Sequence, residues 1–516
     1  MENLLVVSLN WNRVYLEILF NKNIEGNVYL LNGNTKYEIC SDYINDNKIS
    51  MPITCAYGDE IIKEGNWYFV CDDKKIKLDI NEAKLIDSKD KVFFYKNGKF
   101  SYLVTFDIDE EFNLIMKTTF MKHNSHPKRN NYGGKTKIVG LFMLILKGLL
   151  RIEYSIISLF SRKNNRILFM SETRSGLEGN LLALNTRIKE LGMDKNYKII
   201  YSFKRVLSER KSLLYFFKAT AKIAKAGYIF IDDYAPTFNF LKLKNTKLIQ
   251  LWHAGIGFKS VGYSRFGKDG SPHPYQSTHR KYTYASVASS NLIPVYEEVF
   301  GLTKNHFIVP GMLRLDGYLN QDKQNSVKER LYNEYPLIKG KKVILFAPTY
   351  RGVGQADAYY DLDKIDVEAL NNLCINNNYV VLFKFHPFIK NRLVIDEKYK
   401  CNMIDVSNYK DINELFYVTD VLITDYSSNI YEYSLFERPI IFFDYDMDEY
   451  AIKRGVHEPL EESPGNICKS FDDVLNVLEN NTFNIDKVKE FKNKYIMYTD
   501  DKSCDRLINI VFKNNK

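Results

Sequence analysis

Two histidines carry the clearest chemical signal in this chain. His253 ends the run Gln250-Leu251-Trp252 and is followed by Ala254, Gly255, Ile256, Gly257, Phe258 and Lys259. An imidazole accepts a proton near neutral pH, and glycines such as Gly255 and Gly257 let the backbone approach a substrate closely. His386 closes the run Leu382-Phe383-Lys384-Phe385 and precedes Pro387, which stops a strand at once. Lys384 falls on the same strand face as His386 by the period of two. A single histidine at a strand end is more often a structural hydrogen-bonder; one on each of two facing walls points to a reaction centre.

Two polar turns supply complementary charge. In Phe346-Ala347-Pro348-Thr349-Tyr350-Arg351-Gly352 a strand runs into a basic, glycine-containing turn. The planar fork of Arg351 suits a phosphate; its plainer role is a surface pair with Asp357 or Asp361. The apolar run Val421-Leu422-Ile423 leads into Thr424-Asp425-Tyr426-Ser427-Ser428 and then a helical stretch from Ile430. Backbone N–H groups at a helix start attract phosphate, so Asp425, Ser427, Ser428 and Glu432 are candidates for holding phosphates and sugar hydroxyls. Serines in this position are also ordinary helix caps.

The elements that must carry these turns alternate strand, turn, helix after Asn165. Arg166 to Met170, Lys198 to Tyr201, Tyr228 to Ile231 and Leu248 to Leu251 read as one set of strands. Val343 to Phe346, Val380 to Phe383, Val421 to Ile423 and Ile440 to Phe443 read as a second, with a break near Gly317 to Val327. Amphipathic segments such as Leu177 to Leu191 and Val367 to Asn376 lie between them. Such alternation means parallel sheets with ligands at the carboxyl ends of strands. The expected fold class is α/β, with two Rossmann-like halves of glycosyltransferase-B type preceded by an N-terminal all-β, sandwich-like module. The expected division is a β module at 1–121, a basic linker and apolar helix at 122–165, a first Rossmann-like half at 166–320 and a second at 321–516.

Composition sets the outer bounds. A chain of 516 residues is too long for one core, and 45% hydrophobic with 26% charged residues excludes wholesale disorder. A net charge of +9 fits an anionic substrate or membrane surface and is too small at this length to argue for nucleic acid. Seven scattered cysteines without Cys-x-x-Cys spacing argue against a zinc site and a disulfide framework. The start Met1-Glu2-Asn3-Leu4 is not a basic signal-peptide start, so the default location is cytosolic. Alternating segments such as Asn27-Val28-Tyr29-Leu30 and Trp67-Tyr68-Phe69-Val70, with turns such as Asn32-Gly33-Asn34, make the first region a β module. Ile138 to Phe160 is apolar, but Lys147, Arg151 and Glu153 within it speak against a membrane span. An in-plane membrane helix is favoured over a buried helix of the next domain, given the flanking Lys135, Lys137, Arg162, Lys163 and Arg166.

Four ordered motifs also match something known. Trp252-His253 with a following lysine, Ala347-Pro348-Thr349-Tyr350-Arg351, Lys384-Phe385-His386-Pro387 and Thr424-Asp425-Tyr426-Ser427-Ser428 together resemble the CDP-glycerol glycerophosphotransferase family of teichoic-acid and capsule synthesis. The tail Tyr498-Thr499-Asp500-Asp501-Lys502, followed by Arg506, resembles that family's closing motif. The resemblance implies transfer of a polyol phosphate from a CDP-polyol to an acceptor hydroxyl with release of CMP, glycerol phosphate being favoured over ribitol phosphate. It implies catalytic roles for His253 and His386 and places Arg351, Ser427 and Ser428 in donor-phosphate motifs; Thr349, Lys384, Asp425 and Glu432 complete the expected donor side. Many members read Trp-His-Gly-Thr-Pro-Leu-Lys where this chain has Trp252-His253-Ala254-Gly255-Ile256-Gly257-Phe258-Lys259. The departure falls on the expected acceptor side, Gly255, Gly257, Lys259 and Arg265.

The expected reaction is in-line attack of an acceptor hydroxyl on the β-phosphorus, with His253 as general base and His386 stabilising the phosphoryl group or the leaving CMP. No acidic metal-binding pair stands out, so no cofactor and no strict metal requirement are expected. The expected partners are CDP-glycerol or CDP-ribitol, a lipid-linked glycopolymer acceptor and the cytoplasmic membrane surface, without nucleic acid and with homo-oligomerisation left open. A nucleotide-sugar glycosyltransferase and a non-catalytic membrane scaffold are the rival readings.

Overall fold

A computed structural model describes residues 4–55, 58–95, 100–122, 136–161, 165–205, 209, 211–252, 261–266, 272–273, 275, 277–352, 357–454 and 463–513. Near the N-terminus, alternating apolar residues build two sheets. In Tyr15–Phe20, Leu16, Ile18 and Phe20 point inward while their neighbours face outward, the period-two pattern of a half-buried strand. That strand lies at the middle of a five-stranded sheet; a second sheet of seven strands contains Phe100–Ile108, Leu114–Lys122 and Gly65–Cys71. The Gly33-Asn34 turn joins Val28–Asn32 to Thr35–Glu38 as a tight hairpin, with Gly33 at the left-handed φ of 56° that such a turn requires. The two sheets bury one shared apolar core that includes Phe69, Tyr102 and Met116.

After the β region a helix spans Thr136–Phe160. Leu146, Leu150 and Tyr154 are buried on its inner side, where it packs on the helix Leu213–Lys225. The charges that speak against a span sit beside the protein. Arg151 Nε donates to the Phe240 carbonyl at 2.8 Å, and the Lys147 ammonium lies 5.9 Å from the Phe240 ring centroid. The opposite side shows water a run of large apolar groups, including Leu144 at 66%, Ile152 at 58% and Phe160 at 82% exposed. Among the described residues no helix is long and apolar enough to cross a membrane.

Two six-stranded sheets follow, and every neighbouring pair in them is parallel. In the first, the order is Lys198–Phe203, Arg166–Ser171, Tyr228–Ile231, Lys247–Gln250, Tyr284–Ser286, Phe307–Ile308. In the second it is Met403–Asp405, Tyr379–Phe383, Lys342–Phe346, Val421–Thr424, Ile440–Phe443, Asn466–Cys468. Numbered within its own half, the second sheet runs 3-2-1-4-5-6, the Rossmann order. Its central strands are unbroken apolar runs because helices cover both faces: Leu370 and Val474 pack on one face, Leu415 and Tyr433 on the other.

Residues 309–320 link the two sheets, and Val327 lies beyond them inside the helix Gln321–Glu334. Asn320 caps that helix, its side chain accepting from the Lys323 N–H at 3.0 Å, so the linker ends there. The C-terminal segment belongs with the first half, where Leu507, Ile508 and Val511 share a core with Ile167, Phe169 and Leu184. Burying that apolar face outweighs proximity in sequence.

The β region docks on the first half through paired charges. Arg13 reaches Glu298 with two nitrogens at 3.2 and 3.0 Å. Asp59 accepts from the Thr303 N–H and hydroxyl at 2.9 and 3.0 Å and meets His306 Nε2 at 2.7 Å. His306 Nδ1 lies 2.8 Å from the Tyr282 carbonyl, so both ring nitrogens face acceptors and the imidazolium suits the site. The hydrogen bond to Asp59 holds the His306 pKa above its ordinary 6.5, while Asp59 is held below its ordinary 3.8, burial being outweighed by bonds to His306 and Thr303. A raised folded-state pKa gives stability that is complete below the unfolded value and is lost as pH rises through the folded one. Thermal unfolding should therefore show a loss of stability above about pH 6.5 that His306→Gln removes.

Candidate active site

Strand order decides where the candidate residues meet. In the second sheet, Lys342–Phe346 and Val421–Thr424 are neighbours whose following connections leave on opposite sides, opening a crevice at their carboxyl ends. Both polar turns of that half emerge there. The Ala347 N–H donates to the Ile423 carbonyl at 2.9 Å, and the Thr424 hydroxyl donates to the Ala347 carbonyl at 2.8 Å. The Thr349 N–H donates to Asp425 Oδ1 at 2.7 Å.

Arg351 is the hub of this corner and is only 6% exposed. Its Nη1 donates to Asp425 Oδ2 at 2.8 Å and to the Thr349 carbonyl at 2.6 Å; Nε and Nη2 grip the Asp446 carboxylate at 2.6 and 2.8 Å. Tyr426 also donates to Asp446, at 3.1 Å. Rings of Tyr360, Tyr426, Tyr445 and Tyr450 stand 5.1–5.4 Å from the guanidinium carbon. Burial works against the charge, but Asp425 and Asp446 outweigh it and hold the Arg351 pKa above its ordinary value. The pairing expected with Asp357 or Asp361 is replaced by these two aspartates. The Arg351 fork is therefore occupied by protein carboxylates and shapes the corner from within.

His386 stands half-buried beside this corner, its ring 4.8 Å from Tyr350 and 4.6 Å from Phe388. The Phe388 N–H donates to Nδ1 at 3.2 Å, an arrangement that assigns the neutral ring's proton to Nε2. Lys384, on the same strand extension, is buried and donates to the Ser407 carbonyl at 2.9 Å; burial, then the Arg392 charge, lowers its pKa. Ser427 and Ser428 are half-buried at the start of the short helix Asn429–Ser434. Ser427 accepts from the Asn429 N–H at 3.3 Å, whereas Ser428 makes no side-chain cap bond. The buried Thr349 hydroxyl has no hydrogen-bond partner among the described residues.

On the first half the corresponding switch lies between Arg166–Ser171 and Tyr228–Ile231. There Thr173 donates to Asp233 at 2.9 Å and Arg174 forms an ion pair with the buried Asp232 at 2.6 Å. One strand over, Trp252 holds a left-handed φ of 51°, rare for a bulky residue and sustained only when neighbours over-determine it. Gln250 Oε1 accepts the Trp252 N–H at 2.8 Å, and Asn180 Nδ2 donates to the Trp252 carbonyl at 2.5 Å. His253, Gly255, Gly257 and Lys259 lie outside the described residues. Arg265 is half-buried between the buried Ser264 and Phe266.

The two halves meet at a residue the sequence reading missed. Arg314, in the linker, pairs with Glu432 of the second half, and its N–H donates to Asn180 Oδ1 of the first at 3.0 Å. Burial, then the Arg174 charge, lowers its pKa to about 10. Arg314 also lines a cavity of about 730 Å³ between the halves, together with Arg187, Lys323, Asp411 and Lys502. Asp501 and Lys502 of the closing motif line that cavity, whereas none of the expected catalytic and donor-side residues among the described ones does. The available signal was an arginine in the glycine-flanked linker, Gly311-Met312-Leu313-Arg314-Leu315-Asp316-Gly317.

Comparison with known proteins places this geometry among relatives. Residues 152–513 match the family model described as CDP-Glycerol:Poly(glycerophosphate) glycerophosphotransferase. The teichoic acid ribitol-phosphate polymerase TarL of Staphylococcus aureus (strain NCTC 8325 / PS 47) is 40% identical over 353 residues. That match covers 68% of this chain and 63% of the relative, so the chain spans less than two thirds of that protein. The teichoic acid glycerol-phosphate primase of Bacillus subtilis (strain 168) is 31% identical over 315 residues, covering 59% of this chain and 78% of the relative. A solved structure of the wall teichoic acid polymerase TagF, H548A, aligns with a TM-score of 0.56 at 24% identity, covering 73% of this chain and 96% of that one, and so shares the fold.

Removing the hub tests the corner directly. Arg351→Ala leaves Asp425 and Asp446 buried and uncompensated, which costs about 3–5 kcal/mol for a broken buried pair. Urea unfolding should show that loss, and Arg351→Lys should recover only part of it because an ammonium cannot reproduce the two-sided fork.

Proposed function

Since the chain belongs to the CDP-glycerol:poly(glycerophosphate) glycerophosphotransferase family, we propose that it transfers a polyol phosphate from a CDP-polyol to a hydroxyl of a lipid-linked cell-wall glycopolymer, releasing CMP. The observation that carries this reading is the placing of the Thr349–Arg351 turn, His386 and Ser427–Ser428 together at the strand ends of the second half. CDP-ribitol is proposed ahead of CDP-glycerol, because the relatives named for ribitol-phosphate polymerisation are 38–40% identical, against 31% for the glycerol-phosphate primase. The two six-stranded parallel sheets, with a cavity between their halves, support a glycosyltransferase-B architecture, and the paired N-terminal sheets support a β-sandwich-like accessory module.

In the proposed reaction an acceptor hydroxyl oxygen bonds to the β-phosphorus as the bond to the bridging oxygen of CMP breaks. His253 takes the hydroxyl proton. His386, with its proton on Nε2, hydrogen-bonds the phosphoryl oxygens or the departing CMP and does not compete as a base. Ser427, Ser428 and the Thr349 hydroxyl hold the diphosphate, Lys384 supplies positive potential from behind the corner, and Arg351 holds the turns in place through Asp425 and Asp446. Gly255, Gly257, Lys259 and Arg265 are assigned to the acceptor side. Charge neutralisation rests on these groups, so transfer is expected to continue in the presence of a chelator.

The Thr136–Phe160 helix is proposed to lie in the plane of the cytoplasmic membrane surface and bring the cleft to its acceptor. Its outward apolar strip is the kind of contiguous patch that marks an interaction surface, and its inner charges are already engaged with Phe240.

Incubating the protein with CDP-ribitol or CDP-glycerol and bacterial membranes should yield CMP and a product heavier by one polyol phosphate, read by mass spectrometry. His253→Ala should lower that rate about 10²–10⁴-fold with the fold intact. Release of a different nucleotide from a nucleotide sugar, with neither CDP-polyol consumed, would sink the reading. For the helix, co-sedimentation with anionic vesicles should fall sharply in the Leu144→Glu, Ile152→Glu double variant. Undiminished binding would remove the helix as an anchor.

A further inference from the structure

The closing motif at 498–502, with Arg506, has no part in the reaction proposed above. In the fold it lies against the linker between the two parallel sheets. Asp316 accepts the N–H groups of Ser503 and Cys504 at 3.0 and 2.8 Å, capping the helix Ser503–Ile508 from a distant part of the chain. The Gly317 N–H donates to Asp501 Oδ1 at 3.0 Å. Arg506 Nε donates to the Pro310 carbonyl at 2.8 Å, while Nη1 and Nη2 take Asp500 at 3.0 and 2.7 Å. The same guanidinium covers the Tyr498 ring at 3.7 Å. Gly311 closes against the motif: its φ is 102°, and a Cβ there would stand 2.6 Å from Ser503 Oγ.

The linker is also fastened to both halves. The Tyr318 hydroxyl donates to the Asn413 carbonyl at 2.7 Å, and the Tyr417 hydroxyl donates to the Tyr318 carbonyl at 2.8 Å. Arg314 stands in the middle of the clamped segment. Its N–H donates to Asn180 Oδ1 at 3.0 Å, and its guanidinium pairs with Glu432. Glu432 is buried on the helix Asn429–Ser434, which begins directly after Ser428. The ties flank Arg314 in sequence, with Pro310 and Gly311 before it and Asp316, Gly317 and Tyr318 after it. Held on both sides, the arginine loses the backbone freedom that a loose linker would leave it.

We propose that the closing motif is a positioning element: it clamps the linker so that Arg314 holds the Glu432 carboxylate in place at the donor corner. Arg506 is the positioning residue of the motif and acts through the linker, its polar partners being Pro310 and Asp500. The proposal rests on the reading that Glu432 holds a sugar hydroxyl of the CDP-polyol. A buried carboxylate is costly without a matched cation, and Arg314 supplies it. Where that cation stands therefore decides where the carboxylate points, and a misplacement of about 1 Å costs about 10²-fold in rate.

Arg506→Ala loosens the clamp from the motif side. Gly311→Ala does so from the linker side, by collision with Ser503 and without removing a contact. Each should raise the KM for CDP-ribitol about 10-fold and slow CMP release, with bacterial membranes as acceptor, about 10- to 100-fold. Arg506→Lys should recover part of the rate, keeping a charge beside Asp500 without the fork. In a Glu432→Gln background the clamp has no carboxylate left to position, so adding Arg506→Ala should cost no more than about 2-fold further. The full loss repeated in that background, or wild-type kinetics in both single variants, would overturn the proposal. Hydrogen exchange in the peptide covering 309–320 should rise in Arg506→Ala, and unchanged exchange there would overturn it as well. Should Arg506→Ala fail to fold, Gly311→Ala in both backgrounds decides alone. If the wild-type protein consumes no CDP-polyol, the functional reading fails, and exchange still decides whether the clamp exists.

Discussion

Arg351 must stay charged in a place where charge is expensive, and the second half is organised around that requirement. A buried guanidinium persists only when its donors are matched, and here two carboxylates and a carbonyl take up the fork. Those partners arrive from three strand ends: Thr349 after Lys342–Phe346, Asp425 after Val421–Thr424 and Asp446 after Ile440–Phe443. Satisfying one cation therefore fixes the relative positions of three turns. Ser427 and Ser428 begin two residues beyond Asp425, and the ring of Tyr350, next to Arg351, packs on His386. The geometry of the proposed donor corner follows from an ion network that never needs to touch the donor.

The link between the halves has a similar logic. Arg314 is half-buried in the linker and carries Glu432 on one side and Asn180 on the other; Asn180 in turn holds the Trp252 carbonyl. A chain of polar contacts thus runs from the second half to the residue before His253. The C-terminal helix adds an apolar clasp by crossing back to the core of the first half. The first half is consequently closed by chain from beyond its own sequence limits. The β region extends the same pattern, taking Tyr263 and Phe266 into its core.

Much of the fold was legible because its signals are local. The long central strands, such as Tyr379–Phe383 and Ile440–Phe443, are unbroken apolar runs whose ends are marked by polar turns. The short strands Tyr284–Ser286, Phe307–Ile308, Met403–Asp405 and Asn466–Cys468, at or next to the sheet edges, have too few residues to show a period, and only pairing with a neighbour makes them strands. The apolar helix was visible as a run of residues, but the engagement of Lys147 and Arg151 with Phe240 was not, because that contact crosses about ninety positions.

The candidate site divides in the same way. The sequence by itself determined the family, the two histidine-bearing turns and the two polar turns of the second half, since each is a contiguous motif at a strand end. Tertiary structure alone decided what those residues face. It turned Arg351 from a free fork into the hub of an ion network and brought Arg314 to the meeting of the halves. It also packed Tyr263 and Phe266 of the first half into the N-terminal core. Motifs report which groups are present because neighbours in sequence stay neighbours in space. Burial, pairing and protonation depend on partners contributed from far along the chain, and only the packed fold selects them.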